Sequence, residues 1–136
     1  TLMRSSAASD VYKRQVVDDF AIIGGMSAVH QFVHIGRHVM IQGGSLIGKD
    51  VPPYVKAGRL PLSYAGVNSI GLRRRGFVNE KINEIQDIYR ILFQSGLNNS
   101  DAVERIEAEM PASKERDEII MFVRNSKRGV MKGYMG

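Results

Sequence analysis

The sequence predicts a triangular β-solenoid of about two coils, followed by a small α-helical domain. Every sixth residue from Val17 to Ile47 is aliphatic, and a second register four residues later holds small or β-branched residues. After Asn79 the apolar residues recur with the 3.6-residue period of a helix instead. A period of six fits neither a helix nor simple strand alternation, so it indicates a repeat fold.

Six consecutive hexads define the walls of the predicted solenoid. The aliphatic register is Val17, Ile23, Val29, Ile35, Ile41 and Ile47, and the second register is Ala21, Ser27, Val33, Val39, Ser45 and Val51. With three hexads per coil, each aliphatic residue points inward and stacks on its equivalents in neighbouring coils. Glycine recurs at Gly24, Gly36 and Gly48, where we expect corners that need permissive backbone angles. The pattern resembles the hexapeptide-repeat family, which implies a left-handed parallel β-helix over residues 16–53.

Downstream of the hexads, two prolines and a change of period set the predicted boundaries. We expect strand pairing to end at Pro52-Pro53, because residues without an N–H cannot continue a ladder. Residues 54–78 are then predicted to form a connecting loop, and residues 79–136 an α-helical C-terminal domain.

Three amphipathic helices are predicted within the C-terminal domain. Their apolar stripes are Ile82, Ile85, Tyr89 and Leu92 in the first, Val103, Ile106 and Met110 in the second, and Ile119, Ile120 and Val123 in the third. Gly96 is placed to end the first helix, Asn99 or Ser100 to cap the second, and Ser113 to begin the third.

Residues 1–15 do not continue the repeat and are predicted to be a non-native, disordered leader. The stretch "DVYKRQ" is the translation of the DNA string GATGTGTATAAGAGACAG, which looks like a transposon end used in preparing sequencing libraries. On this hypothesis the native sequence begins near Val16, and the preceding coils of the solenoid are missing.

Composition excludes several classes of function. The chain has no cysteine, which excludes a disulfide framework and a thiolate metal site, and no apolar run is long enough to span a bilayer. The net charge of +5 is spread thinly, with one dense point at Arg73–Arg75 and no aromatic residues interleaved with it. An anionic small molecule or an acidic partner therefore explains the arginines at least as well as nucleic acid does. We predict no nucleic-acid partner, no integral membrane segment and a cytoplasmic location.

Three motifs in order carry a more specific resemblance. The runs "VDDFAIIGGMSAVHQFVHIGRHVM", "KDVPPYVKAG" and "GVNSIGLRRRGF" resemble the UDP-N-acetylglucosamine O-acyltransferase family of lipid A biosynthesis. The resemblance implies transfer of an (R)-3-hydroxyacyl chain from acyl carrier protein to the 3-hydroxyl of UDP-N-acetylglucosamine. It also implies a homotrimer with active sites between neighbouring β-helices, and it requires neither a metal nor another cofactor. His30, His34 and His38 recur every four residues, but hexads place them on different walls, which argues against a metal site.

The resemblance also assigns candidate site residues. It implies substrate contacts by His30 and Gln31, nucleotide-sugar binding by Asn68 and phosphate contacts by Arg74 and Arg75. Gly43 falls at the position that limits acyl-chain length. Read without the family, His30 and Gln31 are turn residues, Gly43 is an ordinary corner, and the arginines are a solvated charge run before a helix. The family's general-base histidine lies upstream of residue 16, so we assign no catalytic residue and expect this chain to be inactive alone.

Two other classes remain open at this point. A different hexapeptide-repeat acyltransferase would keep the coils and act on another donor or acceptor. A non-catalytic trimerising scaffold would need only the coils and the helices.

Overall fold

The chain is described by a computed structural model over residues 16–58, 62–127 and 129–131. The predicted leader, residues 1–15, lies outside these ranges. Within them the strands are β1 Val16–Val17, β2 Ile22–Ile23, β3 Ala28–Val29, β4 His34–Ile35, β5 Met40–Ile41, β6 Leu46–Ile47, β7 Val55–Gly58 and β8 Ser63–Val67. The helices are α1 Ser69–Arg74, α2 Asn79–Gln94, α3 Asn99–Glu109 and α4 Lys114–Asn125. In this described part no helix is long and apolar enough to cross a membrane.

Parallel pairing between coils confirms the predicted triangular cross-section. Strand β1 pairs with β4, β2 with β5 and β3 with β6, so each strand meets the strand three hexads later. The register places Val17 opposite Ile35 and Ile23 opposite Ile41. The architecture is the predicted left-handed parallel β-helix with a helical domain after it.

The two predicted registers fill the interior of the prism. Ile23, Ile35, Ile41 and Ile47 of the aliphatic register are buried, and Val17 and Val29 of the first coil pack against them. In the second register Ser27 is half-buried and the others are buried. Burial of stacked aliphatic side chains removes apolar surface from water, at about 25 cal/mol per Å², and is the main stabilising contribution of the coils.

The residues that adopt left-handed backbone angles at the corners are not the ones that the sequence predicted. Positive φ recurs every six residues at Phe20 (64°), Met26 (62°), Phe32 (66°), His38 (59°) and Gly44 (76°). The glycines that were predicted to supply this freedom are not among the positive-φ residues. They are needed for space instead: a Cβ on Gly24 would lie 2.4 Å from the Gly43 nitrogen, and one on Gly36 would lie 2.6 Å from the Pro53 nitrogen.

Two predictions about residues 52–78 are wrong. Pairing does not end at Pro52-Pro53, because the prolines occupy a corner where the ladder needs no N–H, and β7 then pairs parallel with β5. The predicted connecting loop contains β7, the antiparallel strand β8 and helix α1. The third coil keeps the corner alignment, since the Tyr54 N–H donates to the Arg37 carbonyl over 2.8 Å.

The three predicted C-terminal helices are confirmed. Their buried residues are Ile82, Ile85, Ile88, Tyr89 and Leu92 in α2, Ala102, Val103 and Ile106 in α3, and Ile119, Ile120 and Val123 in α4. Gly96, with φ of 80°, follows α2, and the Ser113 hydroxyl accepts from the Arg116 N–H at the start of α4. The cap of α3 is Asn98 rather than Asn99 or Ser100, because its side chain accepts from the Asp101 N–H over 2.8 Å.

A half-buried ion pair fastens the helical domain to the β-helix. Arg37, at a coil corner, donates to both carboxylate oxygens of Glu118 in α4 over 2.9 Å. The Tyr54 hydroxyl donates to the same carboxylate. Burial opposes ionisation of Glu118, but the hydrogen bonds from Arg37 and Tyr54 outweigh it and hold the carboxyl pKa below 4.5. The charge of Glu118 is therefore part of the folded structure at neutral pH.

We predict that Gly24→Ala destabilises the fold while Gly25→Ala does not. The added methyl group on Gly24 would overlap the Gly43 backbone, whereas a Cβ on Gly25 would meet no atom within 4 Å. Backbone shifts from such overpacking cost about 1–3 kcal/mol. Urea unfolding of the two variants measures the difference, and equal midpoints would contradict the close approach of the coils.

We predict that Glu118→Gln lowers the free energy of unfolding at pH 7 by about 2 kcal/mol, the order of a charged hydrogen bond. Because the folded-state pKa of Glu118 lies below 4.5, its contribution is complete above that pH and is lost as the pH falls through the folded value. Glu118→Gln should therefore lose less stability than the wild type on acidification. Glu107→Gln, at the exposed pair with Arg124, is the control and should change the unfolding midpoint little.

Candidate functional site

A cavity of about 590 Å³ lies where helix α1 meets the first corner of the β-helix. We call it the corner cavity. It is lined by Asp19, Phe20, Ala21, Ile22, His38, Asn68, Gly71, Arg74 and Arg75. Three of the six predicted site residues, Asn68, Arg74 and Arg75, therefore lie around one space.

An aromatic stack forms the wall of the corner cavity. Phe20, His38 and Tyr54 occupy equivalent corners of successive coils, with ring centroids 4.9 Å and 5.8 Å apart. Phe77 meets the His38 ring edge-on at 5.2 Å. The stack fixes the plane of the His38 ring, because rings on three sides leave it little freedom to turn.

Arg75 closes one side of the cavity by lying over the stack. Its guanidinium carbon is 4.2 Å from the centre of the Phe20 ring. The sequence interleaves no aromatic residue with the arginines, and the fold supplies one from the first coil. Within the described residues neither Arg74 nor Arg75 forms an ion pair, so both charges are available to an anionic ligand.

Asn68 ties α1 to the corner through both atoms of its amide. Its Nδ2 donates to the His38 carbonyl over 2.9 Å, and its Oδ1 accepts from the Gly71 N–H over 3.3 Å. Glycine at position 71 leaves room for this amide, since a Cβ there would lie 2.5 Å from Asn68 Nδ2. Each amide atom retains one further hydrogen-bonding position, so Asn68 can serve the fold and a ligand together.

The other predicted site residues lie at different corners. His30 and Gln31 are exposed at the turn between β3 and β4, and Gly43 is exposed at the turn between β5 and β6. The corner cavity is next to the turn between β1 and β2. A single copy of the described chain thus presents its predicted contact residues on three corners of the prism, and does not bring them together.

The three histidines are also separated, as the hexad spacing predicts. His30 lies in a turn, His34 in β4 and His38 at the first corner. His34 Nε2 is 2.8 Å from Asp18 Oδ2, in a second cavity of about 680 Å³ beside α4. Between residues 16 and 131, in the described parts, no three His, Asp or Glu side chains are grouped as a metal site would require.

His38 is the cavity residue that sequence reasoning missed. Burial lowers the pKa of its ring, the charge of Arg37 lowers it further, and Arg75 adds to this against the opposing charge of Glu118. The only signal in the sequence is that His38 shares the hexad register of Phe20 and Phe32. Nothing in the sequence marks this register as the one whose residues adopt left-handed backbone angles at the corners.

Comparisons with known proteins agree with the fold. Residues 50–131 match the family model described as UDP N-acetylglucosamine O-acyltransferase, domain 2. An acyl-[acyl-carrier-protein]–UDP-N-acetylglucosamine O-acyltransferase of Myxococcus xanthus (strain DK1622) is 40% identical over 116 residues, which are 85% of this chain and 45% of that protein. A protein of the same name from Burkholderia orbicola (strain MC0-3) is 39% identical and is covered over 46% of its length.

Two solved structures extend the likeness to three dimensions. A UDP-N-acetylglucosamine acyltransferase from Bacteroides fragilis 9343 superposes with a TM-score of 0.85 at 54% identity, over 87% of this chain and 46% of that one. The enzyme of the same name from Francisella novicida gives 0.83 at 32% identity, over 90% and 45%. The chain spans about half the length of these relatives. Since the family model matches more than half of the chain, the chain belongs to the UDP-N-acetylglucosamine O-acyltransferase family.

Proposed function

We propose that the protein transfers an (R)-3-hydroxyacyl chain from acyl carrier protein to the 3-hydroxyl of UDP-N-acetylglucosamine, in the cytoplasm, as the first step of lipid A biosynthesis. The observation that carries this proposal is the corner cavity, where Asn68, Arg74 and Arg75 surround one space. Its volume of about 590 Å³ is within the range of small-molecule sites. In this proposal the chain supplies the residues that hold the substrates.

The chemistry of the cavity suits a phosphate-bearing substrate. The guanidinium groups of Arg74 and Arg75 supply positive charge to the cavity lining, in which Asp19 is the one acidic residue. Arginine matches phosphate oxygens through paired, charge-assisted hydrogen bonds. We assign Arg74 and Arg75 to phosphate groups of the two substrates and Asn68 to the nucleotide-sugar.

A homotrimer would bring the separated corners together. His30, Gln31 and Gly43 lie away from the corner cavity, so one copy cannot place all six residues around one ligand. In a threefold assembly of prisms, one corner of each copy faces a different corner of its neighbour. The exposure of large apolar side chains at the corners, 95% for Met26 and 62% for Phe32, supports such packing.

The reaction needs a base, an oxyanion donor and positioned substrates, but no metal or other cofactor. A histidine removes the sugar hydroxyl proton, the oxygen attacks the thioester carbonyl, and a backbone N–H stabilises the oxyanion. The carbon–sulfur bond then breaks, and the histidine returns the proton to the departing thiolate of acyl carrier protein. His30 and Gln31 are assigned to substrate contacts, and Gly43 leaves room for a long acyl chain. The general base is assigned to the coils that precede residue 16 in the family.

We predict that Arg75→Ala weakens UDP-N-acetylglucosamine binding to this chain by about tenfold or more, the effect of losing a charged hydrogen bond. Arg73→Ala is the matched control. Arg73 is the neighbouring arginine, it donates to Asn79 over 3.0 Å, and it does not line the cavity. Isothermal titration calorimetry measures both. Equal losses for the two variants would reduce the effect to net charge and contradict the assignment.

A further inference from the structure

Among the residues that the structure describes, the buried ring of His38 has no hydrogen-bond partner. The residue is 5% exposed and lines the corner cavity. Its backbone N–H donates to the Asp19 carbonyl and its carbonyl accepts from Asn68, yet neither ring nitrogen bonds to any residue that the structure describes. A buried polar group that lacks a partner opposes folding, so it calls for an explanation.

The fold does not require a histidine at this position. Equivalent corners in other hexads carry Phe20 and Phe32 with nearly the same φ, and Tyr54 takes the next place in the stack. A phenylalanine would keep the left-handed backbone and the ring contacts and would avoid burying nitrogen. Packing therefore gives no reason for a ring nitrogen at this corner, whereas a ligand in the cavity would give one.

The surroundings of the ring indicate what that ligand carries. Arg74 and Arg75 line the same cavity, and Arg75 lies over Phe20, the ring stacked on His38. Because burial and the neighbouring arginines lower its pKa, the His38 ring is neutral at pH 7 and carries one N–H. A neutral N–H beside two guanidinium groups suits an anionic oxygen acceptor.

We propose that His38 is a substrate-contacting residue that donates its ring N–H to a phosphate oxygen bound in the corner cavity. This inference rests on the proposed function and adds a third phosphate contact to Arg74 and Arg75. The phosphate belongs either to the diphosphate of the nucleotide-sugar or to the phosphopantetheine arm of acyl carrier protein. The shared chemistry is a phosphate ester held between a fixed imidazole and a guanidinium pair.

Nuclear magnetic resonance of the ring nitrogens tests the contact directly, because the chain contains three histidines. Uniformly ¹⁵N-labelled chain is titrated with UDP-N-acetylglucosamine, 4′-phosphopantetheine, inorganic pyrophosphate and uridine. We expect the ring signals of His38, assigned by their absence in His38→Phe, to shift with one of the two substrates and with pyrophosphate. Uridine, which lacks phosphate, should not shift them, and the substrate that does identifies the source of the phosphate.

Affinity provides the second readout. His38→Phe should weaken binding of the substrate that shifts the His38 signals about tenfold. It should leave the melting temperature unchanged or raised. His34→Phe, the same replacement outside the corner cavity, should retain affinity.

Binding of UDP-N-acetylglucosamine with unchanged His38 signals and unchanged affinity in His38→Phe would overturn the inference and leave the proposed function intact. A His38 shift with pyrophosphate alone would support the phosphate contact and contradict the proposed substrates, while no shift with any phosphate would overturn the inference.

Discussion

The left-handed backbone at every sixth residue is the constraint on which the rest of the structure depends. It turns the chain at each corner, so that three hexads close one coil and strand β1 meets β4 in parallel register. It also places residues of the same register directly above one another. Phe20 and His38 stack for this reason and line the corner cavity, and Tyr54 stacks on His38 from the next coil. The repeat therefore builds both the core and one side of the site.

The third coil connects this site to the helical domain. Tyr54 stacks on His38 and donates its hydroxyl to Glu118, which also binds Arg37. Burial and the bond to Glu118 raise the pKa of Tyr54, so the phenol remains a hydrogen-bond donor at neutral pH. Helix α4 and the corner are thus held by one charged cluster behind the cavity.

Much of the fold could be predicted from the sequence, because its signals are periodic. The hexads predicted the coils and their interior, and the apolar stripe from Ile82 to Leu92 predicted helix α2. Residues 54–78 were predicted incorrectly because β7 is held by pairing with β5, a distant partner that local composition does not reveal, and β8 is held in turn by pairing with β7. The glycine corners were misread because close approach between coils, as at Gly24 and Gly43, depends on three-dimensional contacts.

The candidate site could be predicted only in part. The motif around Asn68 and Arg75 is contiguous, so resemblance identified it, and the structure places these residues around one cavity. Phe20 and His38 come from separate coils and carry no local signal, so only the fold shows that they belong there.

A crystal structure of the chain soaked with UDP-N-acetylglucosamine would show where the substrate diphosphate binds. We predict diphosphate density in the corner cavity, within hydrogen-bonding distance of Arg75 and the His38 ring. Density in the second cavity, beside Asp18 and His34, with the corner cavity empty, would contradict it.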